Sequence, residues 1–74
     1  MDEDQIKEVL LCQDQSFRRL YEQHQEIEQS LSNINEKNVL TSREEMDEKE
    51  LKKRKLRLKD EIYRRIIEYK IKAL

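Results

Sequence analysis

The chain has 74 residues, 45% of them charged and 5% aromatic, with no Gly, Pro or Trp and a net charge of −1. A domain of this length buries only about 60% of its unfolded surface, so its core is marginal without a supplement. Cys12 is the only cysteine and His24 the only histidine, which excludes an internal disulfide and a thiol–imidazole metal cluster; the expected supplement is self-association, with no cofactor.

The N-terminal run Met1-Asp2-Glu3-Asp4-Gln5 is acidic and leads into no apolar stretch of signal-peptide length. Nowhere does the chain approach the ~20 apolar residues that cross a bilayer. The expectation is a cytoplasmic protein in which Cys12 is a free thiol. High charge can also signal disorder, but the absence of Pro and Gly and a periodic apolar pattern favour long helices.

The first predicted element is one helix over about residues 5–33, because its apolar positions step by three and four. They are Ile6, Leu10, Phe17, Leu20, His24, Ile27, Leu31 and Ile34, with Gln13 filling one slot of the heptad register. Val9 and Tyr21 broaden this stripe, whereas Leu11 and Cys12 fall off it. Whether the helix runs unbroken through Gln13, a polar residue in a core slot, is open at this level.

A turn is expected over about residues 34–42, where Asn33, Asn35 and Asn38 offer side chains that compete for the backbone. Thr41 with Glu44 and Ser42 with Glu45 then form two overlapping capping boxes. A second helix over about residues 43–72 follows from them. Projected at 100° per residue, its apolar residues fall into two stripes. Leu51, Leu58, Ile62, Ile66 and Tyr69 form one, suited to packing on the first helix. Leu56, Tyr63, Ile67, Ile71 and Leu74 lie roughly opposite and form a candidate protein interface, since an exposed strip of large apolar residues marks a contact surface.

Charge favours antiparallel pairing of the halves. Residues 1–42 carry four bases against nine acids, a net of −5, and residues 43–74 carry twelve bases against eight acids, a net of +4. The fold class expected is all-α: a single coiled-coil-like, two-helix antiparallel hairpin spanning residues 1–74 that self-associates, with a dimer favoured.

Two blocks resemble a known family. Phe17-Arg18-Arg19-Leu20-Tyr21-Glu22-Gln23-His24-Gln25-Glu26-Ile27 and, more specifically, Leu51-Lys52-Lys53-Arg54-Lys55-Leu56-Arg57-Leu58-Lys59-Asp60-Glu61-Ile62 are similar to the YdcH-like family of small bacterial proteins. The resemblance implies an all-helical hairpin of unknown function, and supplies no catalytic residue. Glu48 departs from the family pattern, standing where an aliphatic residue is usual.

Three features invite sharper readings. His24, at a core-type position, is either a pH-responsive group or a half-buried histidine satisfied by a neighbour such as Glu28. Cys12 is a redox-active thiol or an ordinary one at a subunit contact. The run Lys49 to Lys59 holds seven bases and one acid. It suggests nucleic-acid or ribosome contact through Lys52, Lys53, Arg54, Lys55 and Arg57, with counterion release as the driving term. Against that stand the overall charge of −1 and the lack of interleaved aromatics. A basic amphipathic helix can also lie on an anionic membrane, but Asp60 and Glu61 interrupt its middle. With no glycine to cradle a phosphate and little concavity in a hairpin, an enzyme is not expected. The reading reached is a non-enzymatic structural or protein-interaction module, with the nucleic-acid accessory as its alternative.

Overall fold

Asp2, Asp14 and Thr41 each take an extended backbone and turn a side-chain oxygen onto the N–H of the residue three places on, and each starts a helix. In the computed structural model, which describes residues 2–73, the helices are α1 (Glu3–Gln13), α2 (Gln15–Asn35) and α3 (Ser42–Lys72). No strand occurs among the described residues. The fold is all-helical, but the expected two-helix hairpin is corrected to three helices, because the first long helix breaks at Asp14.

The break has a local cause. Asp14 sits at φ −115° and ψ 106°, outside the helical region. Its backbone N–H still donates to the Leu10 carbonyl at 2.8 Å, closing α1, while its Oδ1 accepts the Phe17 N–H at 3.1 Å, opening α2. One residue therefore ends one helix and caps the next. Arg18, in the first turn of α2, reaches back with Nε to the Leu11 carbonyl at 2.9 Å and with Nη2 to the Cys12 carbonyl at 3.4 Å. Those carbonyls lie in the last turn of α1, where a helix leaves acceptors without intrahelical donors. Arg65 of α3 meets the same corner, its Nη1 donating to Ser16 Oγ at 3.0 Å and standing 3.8 Å from Asp14 Oδ2.

The outer ends are capped too. Asp2 and Gln5 form a capping box at α1, and Thr41 and Glu44 form the one used at α3, so Thr41 rather than Ser42 is the cap. Glu44 and Glu45 in the first turn and Lys70 and Lys72 in the last turn suit the dipole of α3. Lacking a glycine, α2 ends by tightening, with the Lys37 N–H donating to the Ile34 carbonyl at 3.1 Å.

Ile6, Leu10, Phe17 and Ile66 form the central cluster, with Leu11, Ile62 and Tyr69 packed on its edge. All three helices contribute to it, and Phe17 and Ile6 are fully buried. Ile27 and Leu31 carry the buried stripe along α2 towards the turn. Of the other core positions expected, Leu20, His24, Leu51, Leu58 and Ile62 are half-buried. Leu11, off the predicted stripe, is partly buried and packs on the edge of the cluster beside Leu10. The result is a slender rod with extents of 49 × 19 × 17 Å, its long axis close to the ~46 Å that a helix of 31 residues spans.

Candidate protein interface

α3 runs the length of the rod, and only one of its faces is used by α1 and α2. Ile66 is buried and Leu51, Leu58, Ile62 and Tyr69 are half-buried on that face. On the other, Leu56 is 61% exposed, Tyr63 53% and Ile71 63%, with Ile67 half-buried between them. Leu74 lies outside the described residues. Folding thus leaves an apolar strip along the outer side of the longest helix, and each large side chain in it keeps surface whose burial is worth about 25 cal/mol per Å². Met46, 71% exposed nearer the start of α3, adds to the apolar surface of this helix.

The five bases of the candidate nucleic-acid contact do not form a free cluster. Lys52, Lys53, Arg54 and Arg57 are exposed and Lys55 is half-buried. Lys52 Nζ donates to Glu48 Oε1 at 2.9 Å, and Lys55 Nζ lies 3.6 Å from Glu28 Oε1 on α2. Glu48, the residue that departs from the family pattern, is thereby a half-buried partner for Lys52. Arg54 and Arg57 border an open groove of about 470 Å³ between α2 and α3, whose opposite wall carries Gln23, Glu26, Ile27 and Ser30. A carboxylate in that wall disfavours a phosphate there.

The His24 side chain, on α2, is 15% exposed. Its Nε2 is shielded from solvent and has no hydrogen-bond partner among the described residues. Glu28 Oε1, the neighbour expected to satisfy it, stands at 3.8 Å, beyond hydrogen-bond reach. Cys12 is exposed on α1. Near the turn, the Lys37 ammonium pairs with Glu44. That contact, followed by the Thr41 backbone N–H, holds the Glu44 carboxyl below its ordinary value. Among the described residues no three His, Cys, Asp or Glu side chains gather as metal ligands, and no helix is long and apolar enough to cross a membrane.

Residues 17–66 match the profile of the family described as a protein of unknown function, DUF465. The chain belongs to this family. It is YdcH-like, as its two sequence blocks indicate, since YdcH is itself a DUF465 protein. The match opens on Phe17 and closes on Ile66, two members of the central cluster, and takes in α2, the turn and most of α3. It leaves α1 outside, and it divides the strip: Leu56 and Tyr63 fall within the match, Ile67 and Ile71 beyond it. No curated protein and no solved structure matches the chain.

Proposed function

We propose that this DUF465 protein is a non-catalytic, self-associating interaction module that works through helix–helix contact on the outer face of α3. The observation that carries the reading is the exposure of Leu56, Tyr63 and Ile71 on one side of a helix whose other side is already committed to the fold. Water contact with such a strip is removed when a second helix lies along it. A domain of 74 residues with a four-residue central cluster also gains stability by mass action when a partner binds only the folded form. The occupant favoured is a second copy, which makes a dimer, in a cytoplasmic setting where Cys12 stays a thiol.

The competing reading, a nucleic-acid or ribosome-associated accessory, draws on Lys52, Lys53, Arg54, Lys55 and Arg57. The ion pairs of Lys52 and Lys55 and the carboxylate beside the Arg54–Arg57 groove weigh against it. Sedimentation equilibrium of the purified chain tests the choice: the expected mass rises from 9.2 kDa towards twice that value with concentration. A mass of 9.2 kDa at every concentration, together with salt-sensitive and nuclease-sensitive capture of nucleic acid from lysate, overturns the reading.

A further inference from the structure

The outer face of α3 has a heptad register of its own. Counting from Leu56 in alternating steps of four and three gives Leu56, Asp60, Tyr63, Ile67, Lys70 and, by sequence position, Leu74. Asp60 and Lys70 are exposed, and neither takes part in an ion pair among the described residues. Both charges therefore stand in the line of the seam with no ion-pair partner among the described residues. Either one, covered by an apolar partner, is a desolvated and uncompensated charge.

The order of the seam is the same read in either direction, with the sign of the charge inverted: apolar, acid, apolar, apolar, base, apolar. That is the pattern an isologous contact needs, in which residue i meets residue j and j meets i. We propose that two copies pair through this seam as antiparallel α3 helices about a two-fold axis at the level of Arg65. Tyr63 then faces Ile67 of the second copy and Asp60 faces Lys70, with each contact made twice.

Neighbouring registers fail on the same residues. An axis midway between Asp60 and Tyr63 sets Lys53 against Lys70 and buries Asp60 on Tyr63. An axis at Leu58 sets Leu56 against Asp60 and Lys53 against Tyr63. A parallel, in-register pair sets Asp60 on Asp60 and Lys70 on Lys70. Only the axis at Arg65 answers each charge with its opposite and each apolar residue with another. Asp60 and Lys70 thus fix direction and register, as charged positions do in coiled coils, while Leu56, Tyr63 and Ile67 supply the burial.

The inference rests on the self-association proposed above, and charge exchange separates the two. Asp60→Lys and Lys70→Asp, each alone, replace both attractive pairs with repulsive ones, and the dimer dissociation constant is expected to rise about tenfold. The double variant Asp60→Lys/Lys70→Asp restores opposite charges in the antiparallel pair and returns the constant to near the wild-type value. Circular dichroism of each variant above its dissociation constant checks that the helices are retained. Wild-type mass that stays at 9.2 kDa overturns self-association itself. A wild-type dimer that the single variants leave unchanged, or that the double variant fails to restore, overturns the antiparallel register alone.

Discussion

Arg18 Nε donates to the Leu11 carbonyl at 2.9 Å, tying the first turn of α2 to the last turn of α1 across the break at Asp14. The corner is thus closed from both sides: Asp14 supplies the cap of α2, and Arg18 supplies a donor to the end of α1. Across this corner Ile6 and Leu10 of α1 join Phe17 and Ile66 in the central cluster. Asp14→Ala removes the cap and is expected to lower the unfolding free energy by about 1 kcal/mol, read from the urea midpoint. Asp14→Asn, which retains an acceptor, is expected to lose much less. Equal losses in the two variants would show that the cap is not the source of the effect.

Phe17 is fully buried where all three helices meet. Phe17→Ala is expected to cost about 3 to 5 kcal/mol, a large share of the stability a domain of this size has. Loss of cooperative thermal unfolding is the expected readout. A melting curve like that of wild type would mean the cluster is not the stabilising core.

The Lys37 contact and the Thr41 cap hold the Glu44 carboxyl below its ordinary value, which fixes the sign of its pH dependence. A carboxyl lowered in the folded state adds stability above its unfolded pKa, and that stability is lost as pH falls through the folded value. Glu44→Gln keeps the shape of the capping box and removes the charge. Wild type is therefore expected to be the more stable near about pH 7, with the difference closing in acid. A gap that persists undiminished below the carboxylate range would contradict this role.

At His24, Nε2 is buried without a hydrogen-bond partner among the described residues, and an unsatisfied buried polar atom costs about 1 to 3 kcal/mol. His24→Leu fills the same position in the stripe with no polar atom to satisfy and is expected to raise the urea midpoint. A lowered midpoint would mean that the imidazole makes a stabilising contact.

Much of this architecture is written in the apolar spacing. Ile6, Leu10, Phe17, Ile27 and Leu31 stand at the heptad positions that end up buried, and the two stripes of α3 separate into an inner and an outer face. The break at Asp14 is hidden by that same spacing. Both α1 and α2 pack on α3, so their stripes stay in one register across the bend, and periodicity alone does not distinguish a bent path from a straight one. The signal is chemical: an Asp three residues before Phe17, at a cap-type position beside Gln13, the polar and exposed residue that interrupts the apolar stripe, with Arg18 following to bind the carbonyls behind it. The ion pairs of Lys52 and Lys55 were also outside the reach of spacing, because the second depends on which α2 carboxylate lies across from it.

Ile66 and Ile67 are adjacent in sequence and about 100° apart around α3, Ile66 buried in the fold and Ile67 half-buried between the exposed residues of the strip. The central claim is that these faces have separate tasks, folding for one and association for the other. Light-scattering mass of Ile67→Glu beside wild type, at equal concentration and with helicity recorded by circular dichroism, tests it most directly. Unchanged helicity and a mass that falls from the dimer to 9.2 kDa are expected. A folded Ile67→Glu variant with the same mass as wild type would contradict it.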